Sequence, residues 1–304
     1  MNKSLVIVGL TSALLVAGWV PLEAQRYPLA PRVGFGDNMH PFFEGWYELE
    51  DGSKVFSFGY FNRNLGDNIV NIPRGEDNFV EPAELDGMQP EWFPVRRERG
   101  VFVVRVPSDW PIDRDVTWTF RSQGELYSVP ASFRTDALQL STGPAAMGSD
   151  RPFLKMDEDG EEGTGIVDPV WVEPRSARVG EPLGVTIWAR DHTVEGAARE
   201  ELVPIQAVMW VHHGPANAVI VAQQQDDQSE LEEAGPDSDG DESRPNVVTI
   251  PVESADGSAE FSITFSEPGS YLMRVMVENH RAIDSSQGNQ CCWTNGYVEV
   301  EVSR

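Results

Sequence analysis

The sequence predicts an all-β protein built from two β-sandwich domains in tandem. Short runs of apolar residues alternate with polar ones, the period-two pattern of half-buried strands. Phe261, Ile263 and Phe265, for example, would face one way while Ser262 and Thr264 face the other. Gly, Pro, Asn and Asp, which favour turns, separate these runs, and no helical periodicity competes with them in the first domain. These observations favour strands over helices.

The N-terminal segment 1–24 has the features of a signal peptide. Lys3 precedes the apolar run Leu5–Val20, and cleavage after Ala24 would follow a small residue, as signal peptidases prefer. No later apolar segment approaches the roughly 18 residues that a spanning helix needs. The sequence therefore predicts a secreted or periplasmic protein without a membrane span.

The composition is strongly acidic, with a formal net charge of -26 over 304 residues. Removing the signal segment leaves this charge unchanged because Lys3 and Glu23 cancel. Such a surface repels nucleic-acid phosphates and anionic membranes, so neither is an expected partner. The chain is long enough for two hydrophobic cores and needs no disulfide framework, which agrees with its two cysteines.

The predicted first domain covers residues 41–140 and begins with a hairpin. Residues 46–50 lead through Asp51-Gly52, a pair that tolerates the positive φ angles of a tight turn, into residues 54–61. Further strands are expected at 68–72, 101–106, 116–121, 125–129 and near 137–140.

A linker or long exposed loop is predicted at 141–168, which loses the strand pattern and contains the acidic run 157–162. The second domain, 169–304, includes an acidic loop at 223–245 with almost nothing apolar to bury. Its strands are expected at 170–173, 184–190, 206–212, 218–222, 247–252, 260–265, 271–277 and 297–302.

The second domain carries a pattern of residues that resembles PKD-type and related bacterial immunoglobulin-like (Ig-like) domains. The pattern comprises Trp210, Gly214-Pro215, the run 265–271 and Arg274-Val275, within a domain of about 130 residues. The resemblance implies an Ig-like β-sandwich, with Tyr271 as a tyrosine corner. Met273 stands where an immunoglobulin domain has its second cysteine, so the inter-sheet disulfide is absent. The Gly-Asp-Gly turn of PKD domains is also missing.

Motifs in both domains resemble a set of uncharacterised exported bacterial proteins with tandem Ig-like domains. These motifs are residues 44–47, 59–64 and 72–75, together with the terminal Cys-Cys-Trp-Thr-Asn-Gly-Tyr at 291–297. The resemblance implies a fold and export from the cytoplasm, and it brings no activity.

Cys291 and Cys292 are a candidate vicinal disulfide. Adjacent Cα atoms across a trans peptide lie about 3.8 Å apart, closer than ordinary disulfides allow, so closing the ring needs a distorted peptide. An oxidising compartment nevertheless favours the bond. The functional interpretation is a rigid apolar or redox-sensitive patch; the alternatives are a structural turn or two free thiols on opposite faces of a strand.

The acidic loop contains a candidate calcium site at Asp237, Asp239, Asp241 and Glu242. Hard oxygen ligands at alternating positions suit calcium, although an EF-hand needs its glycine at the sixth position and here Gly240 is fourth. A weaker cluster of the same kind lies at 157–161. The alternative interpretation is a solvated charged loop that binds no metal.

Two further groups of side chains are candidates for binding. Trp92, Phe93 and Trp110 could stack on sugars, and Trp293 beside the cysteines joins the same predicted binding surface; all four could equally be core residues. The adjacent histidines at 212 and 213 should point to opposite faces of a strand and so should not jointly bind one ion without a bend. With Met209 and His192 they could form a copper or zinc site, although local hydrogen bonding is the simpler interpretation.

No catalytic motif is present: H-E-x-x-H, G-x-S-x-G, a P-loop and a dinucleotide glycine loop are all missing. The sequence therefore predicts a non-catalytic binding or assembly module whose partner is a protein or glycan of the cell envelope or extracellular space. The alternatives are a calcium-dependent binding module, a metal or redox protein that uses Cys291 and Cys292, and an unrecognised hydrolase.

Overall fold

The computed structural model of the chain describes residues 34–66, 68–141, 143–144, 148–191, 202, 204–223, 246–250, 257–279 and 291–304. The predicted signal peptide lies outside these residues, as does the predicted acidic loop apart from Gln223. Val33–Arg304 forms one compact unit.

The regular secondary structure of the described residues is almost entirely β-strand, which confirms the all-β prediction. Two single-turn 3₁₀ helices, Ala83–Leu85 and Asp136–Leu138, accompany the strands. No helix in the described ranges is long and apolar enough to cross a membrane. The strands are β1 (Met39–Glu48), β2 (Lys54–Asn62), β3 (Val70–Asn71), β4 (Asn78–Glu81), β5 (Trp92–Phe93), β6 (Arg96–Val106), β7 (Val116–Ser122), β8 (Glu125–Ala131), β9 (Phe153–Lys155), β10 (Gly163–Thr164), β11 (Val170–Arg178), β12 (Pro182–Arg190), β13 (Ile205–His213), β14 (Ala218–Gln223), β15 (Val247–Ile250), β16 (Ser258–Phe265), β17 (Gly269–Glu278) and β18 (Trp293–Ser303).

The first sandwich consists of the antiparallel sheets β1-β2-β6 and β4-β7-β8, accompanied by the short β3-β5 pair. Its hairpin turns at Gly52, whose φ of +79° is the left-handed conformation that the Asp-Gly pair predicts. Aromatic side chains fill the core: the Phe58 and Phe102 rings stack at 5.1 Å, and Trp118 meets Phe102 edge-on at 5.0 Å. Trp118 Nε1 donates to Asn78 Oδ1 at 3.0 Å, so the buried indole N–H is satisfied.

The second sandwich packs the sheet β10-β9-β12-β16-β14 against the sheet β11-β18-β17-β13-β15. All of its strand pairs are antiparallel except β11-β18. Tyr271 OH donates to the backbone oxygen of Glu267 at 2.9 Å, which is the hydrogen bond of a tyrosine corner. Met273 is fully buried where an immunoglobulin domain has a cysteine. The second half therefore has the two-layer arrangement that the sequence predicts.

The region predicted as a linker, 141–168, differs from that expectation. It contains β9 and β10, which pair with each other, and β9 also pairs with β12 of the second sandwich. Leu154 is fully buried in the core of that sandwich. Strands of three and two residues are too short to show alternation, and the acidic run between them hides the apolar signal. Near 137–140 the expected strand is reduced to a 3₁₀ turn followed by a single parallel β-bridge between Gln139 and Trp46.

The two sandwiches meet through a buried junction on the outer face of the β11-β18-β17-β13-β15 sheet. Tyr297 OH donates to the carbonyl oxygen of Val101 at 3.0 Å, and Asn295 Nδ2 donates to that of Gly100 at 2.8 Å. A mixed apolar cluster reinforces these bonds, with members from both halves: Tyr47, Val55, Leu140, Ile166, Val208, Trp210, Met276 and Trp293. Buried hydrogen bonds and apolar packing together hold one sandwich against the other.

Candidate binding cleft

A cleft of about 490 Å³ lies at the edge of the junction, where the first sandwich stops covering the outer sheet face of the second. Alternation along β17 and β18 brings Leu272, Glu299 and Glu301 onto this face, and Arg74 and Met88 of the first sandwich line the opposite side. Trp171 of β11 also lines the cleft. We call it the Trp171 cleft.

Trp171 is held in a fixed position although 47% of its surface is exposed. It is the register partner of Tyr297 in the β11-β18 pair, and the two rings stack at 4.9 Å with 24° between their planes. Tyr297 is itself buried and anchored to Val101, and the His212 ring meets it edge-on at 5.4 Å. The exposed indole thus rests on a row of buried aromatic rings, so little side-chain entropy remains to be lost on binding.

A bulge in β11 shapes the side of the cleft. The register of the β11-β18 pair shifts between Val172 and Arg175, so that two residues of β11 oppose Glu299. Pro174, one of these two, lines the cleft. In the described sheet β11 is an edge strand, where proline costs no ladder hydrogen bond and bulges commonly redirect side chains.

The single cation lining the described cleft is neutralised within the protein. Arg74 Nε lies 3.0 Å from Glu91 Oε1, and its Nη1 donates to the Gly87 carbonyl at 2.8 Å. Burial alone would raise the pKa of Glu91, but hydrogen bonds from Gly214 N and from Arg74 outweigh it and hold that pKa below its ordinary value. The Arg74–Glu91 pair therefore adds no net charge to the cleft.

Glu299 and Glu301 carry the remaining charge of the cleft. They lie two residues apart on β18 and both are exposed. Glu301 Oε2 accepts a hydrogen bond from Ser270 Oγ at 2.6 Å. Within the described part of the chain neither carboxylate forms an ion pair, so the floor of the cleft is negatively charged.

His212 and His213 lie behind the cleft, and both contact the first sandwich. Nε2 of His212 donates to the Met88 carbonyl at 2.8 Å, and Nε2 of His213 donates to that of Gln89 at 3.0 Å. The prediction that they point to opposite faces fails because the strand register shifts between Val211 and His213. Burial lowers the pKa of His213 to about 4 and also lowers that of His212, so both rings are neutral at pH 7.

The predicted metal sites receive no support from the described residues, in which no three His, Cys, Asp or Glu side chains group as metal ligands. Asp237, Asp239, Asp241, Glu242 and His192 lie outside those residues. In the 157–161 cluster Asp157 pairs with Arg175.

The four aromatic residues predicted as a binding surface are placed as core or junction residues. Phe93 and Trp110 are buried in the first sandwich, and Trp293 is buried in the junction cluster. Trp92 is half-buried, and its Nε1 donates to the Gly214 carbonyl at 3.1 Å. The alternative interpretation as core residues describes Phe93, Trp110 and Trp293, whose rings fill space inside and between the sandwiches, whereas the partly exposed Trp92 lines a second cleft, of about 320 Å³.

Trp171 is the residue that the sequence reasoning missed. Its signal was present in the run Val170-Trp171-Val172, where two apolar side chains point into the core and the indole between them must point outward.

The two cysteines lie just before β18, whereas the Trp171 cleft contacts Glu299, Val300 and Glu301 in the second half of that strand. The structure joins Cys291 and Cys292 in a disulfide across a cis peptide, with their Cα atoms 3.0 Å apart. Cys292 is buried, and its carbonyl oxygen accepts a hydrogen bond from Asn279 N at 3.0 Å. The disulfide is therefore a separate feature from the cleft.

Comparisons with known proteins give no family for this chain. No protein-family model and no curated protein matches the sequence. Among solved structures the chain is similar to domains 4 and 5 of the S-layer protein SbsC, with 9% identity, a TM-score of 0.24, and coverage of 76% of this chain and 79% of that one. It is likewise similar to the D0-D1 domain of intimin, with 9% identity, a TM-score of 0.24, and coverage of 86% of this chain and 97% of that one. It is also similar to the adhesin InvE of Yersinia pseudotuberculosis, with 10% identity, a TM-score of 0.23, and coverage of 87% of this chain and 60% of that one. Likeness at this level carries no argument about function.

Proposed function

We propose that this protein is an exported, non-catalytic binding module of the cell envelope or extracellular space, and that the Trp171 cleft is its binding site. The observation that carries the proposal is the exposed indole of Trp171, held in place by stacking on the buried Tyr297 ring. Aromatic side chains that are rigid and accessible provide much of the free energy at binding sites.

The surroundings of Trp171 support binding rather than catalysis. Clefts between packed units are common ligand sites. Two polar side chains that line this cleft are engaged with the protein itself: Ser270 donates to Glu301, and the Nε2 atom of His213 donates to a backbone carbonyl. Ser270 Oγ is bound to a carboxylate and not to an imidazole, so the described residues of the cleft form no Ser–His pair of the kind that activates a serine nucleophile.

The proposal is tested by affinity capture from cell-envelope extracts with the full chain as bait. Trp171→Ala should lose the component that the wild type retains, because it removes the stacking surface. Phe35→Ala is the matched control, since Phe35 is 79% exposed and lies elsewhere on the first sandwich. Equal melting temperatures would verify that both variants fold. If Trp171→Ala captures the same components as the wild type, the cleft is not the binding site.

A further inference from the structure

The chemistry of the cleft indicates what it binds, and this inference rests on the proposed function. We infer that the Trp171 cleft takes a basic side chain, guanidinium or ammonium, from an extended segment of a partner polypeptide. The cation would lie over the Trp171 ring and beside the carboxylates of Glu299 and Glu301.

Charge complementarity is the first argument for a cation. Glu299 and Glu301 are neighbours on one face of β18 and form no ion pair within the described ranges, while Arg74 is neutralised by Glu91. Two carboxylates that share one partly enclosed surface repel each other, and a bound cation would relieve that repulsion. The chain as a whole has a net charge of -26, which would steer a basic segment toward it.

The indole is the second argument. Tryptophan is the aromatic side chain that binds cations best, through the negative face of its ring system. This protein uses the interaction repeatedly: Arg274 lies 4.6 Å from the Trp210 ring, Arg114 lies 4.3 Å from Trp110, and Lys155 lies 5.1 Å from Trp188. Trp171 has no such cation among the described residues, and it lines the same cleft as the carboxylates of Glu299 and Glu301.

The strand that carries Trp171 favours a polypeptide over a small cation. In the described sheet β11 pairs only with β18, so its other edge presents backbone N–H and C=O groups without strand partners. An extended segment can hydrogen-bond along such an edge while one of its side chains enters a pocket on the adjoining face.

The inference is tested by isothermal titration calorimetry on the full chain at low salt. The probe is acetyl-Ser-Thr-Arg-Thr-Ser-amide, and its control is the same peptide with citrulline, which keeps the size and planar shape of the arginine side chain and three of its five N–H donors but carries no charge. We expect the arginine peptide to bind about tenfold more tightly than the citrulline peptide, and its affinity to fall as salt screens the carboxylates. Equal affinities would overturn the inference.

Paired charge variants separate the cleft from the acidic surface in general. Glu299→Gln with Glu301→Gln should weaken the arginine peptide about tenfold. Glu81→Gln with Glu125→Gln removes the same charge from exposed positions on β4 and β8 and should leave the affinity nearly unchanged. Equal losses in the two double variants would mean that the peptide binds the acidic surface non-specifically, which would overturn the inference.

Two further probes distinguish failure of this inference from failure of the proposed function. A neutral glucose hexasaccharide is the first probe. If it binds the wild type and the Glu299→Gln, Glu301→Gln variant equally but does not bind Trp171→Ala, the cleft is a binding site but not for a cation. If ethylguanidinium binds as tightly as the arginine peptide, the ligand is a free cation and the polypeptide partner is excluded. If Trp171→Ala binds every probe as the wild type does, both proposals fail.

Discussion

The buried guanidinium of Arg274 in the second sandwich donates from Nη1 to the carbonyl oxygen of Val101 in the first, at 3.2 Å. The same side chain lies 3.5 Å from Glu98 Oε2, and its guanidinium lies 4.6 Å from the Trp210 ring. Arg274 is only 3% exposed. A charge this deeply buried needs partners that repay its desolvation, and both sandwiches supply them.

Arg274→Met should therefore destabilise the whole compact unit. The substitution preserves much of the side-chain volume but removes the cation beside the largely buried Glu98, and breaking a pair of this kind costs about 3 kcal/mol. The free energy of unfolding from urea titration measures the loss. Arg121→Met is the control, because the exposed Arg121–Asp77 pair should contribute less than about 1 kcal/mol. Equal effects of the two substitutions would contradict a structural role for the junction charge.

The junction histidines should make stability depend on pH. An unfolded histidine titrates near pH 6.5, whereas burial lowers the pKa of native His213 to about 4. Between these values the unfolded chain binds a proton that the native chain does not, so the free energy of unfolding decreases as pH falls from about 6.5 to about 4. Above pH 6.5 the ring is neutral in both states and has no effect on the pH dependence. Burial and the charge of Arg74 both oppose protonation of His213, and together they outweigh the Gln89 carbonyl and Glu91, which favour it.

His213→Gln tests this pH dependence, since an amide can still donate to the Gln89 carbonyl. Urea denaturation at pH 7 and pH 4.5 should show a loss on acidification that is smaller in the variant by about 2 kcal/mol. Carboxylates contribute to acid unfolding in both proteins. The measurement is therefore the difference between wild type and variant in how much the free energy of unfolding falls from pH 7 to pH 4.5. An identical fall in the two proteins would contradict the buried, neutral state of His213.

The alternating runs predicted the strands correctly because each has one face in a core. Predicted strands such as 116–121 and 271–277 lie within β7 and β17. Tyr271 as a corner residue could also be predicted, because its hydrogen bond is local in sequence. Strands β9 and β10 could not be predicted, since three and two residues carry no measurable period.

The candidate site could not be predicted because it depends on how the two sandwiches dock. Alternation places Tyr297 outside the core of its own sandwich, and in an isolated domain it would be exposed. The first sandwich covers it, so Tyr297 is 2% exposed and supports Trp171. A contact between Tyr297 and Val101 joins residues 196 positions apart, and no local pattern encodes such a separation.

Two tyrosine hydroxyls, one with a hydrogen-bond partner and one without, allow a matched comparison of hydroxyl deletions. Tyr271→Phe removes the hydrogen bond to the Glu267 carbonyl while keeping the ring, which packs 4.6 Å from Phe265. We expect a loss of about 1 kcal/mol in the free energy of unfolding. Tyr60→Phe should be neutral or slightly stabilising, because the buried Tyr60 hydroxyl has no hydrogen-bond partner among the described residues. A larger loss for Tyr60 than for Tyr271 would contradict both assignments.

Gly100 should tolerate a side chain poorly, because an added Cβ would press on side chains of the junction cluster. Its φ is +52°, and a Cβ atom there would lie 2.7 Å from Ile166 Cδ1 and 3.0 Å from Trp293 Cζ2. Gly100→Ala should therefore cost about 2–4 kcal/mol, from the left-handed backbone and from overpacking together. Gly124→Ala isolates the backbone contribution, since Gly124 has φ +86° with nothing within 4 Å of the added Cβ, and should cost about 1 kcal/mol. Guanidinium unfolding of both variants gives the difference, which measures how tightly the junction is packed. If the two substitutions reduce the free energy of unfolding equally, the side chains around Gly100 can move to accommodate a methyl group. The junction that supports Tyr297 and Trp171 is then packed less tightly than these distances imply.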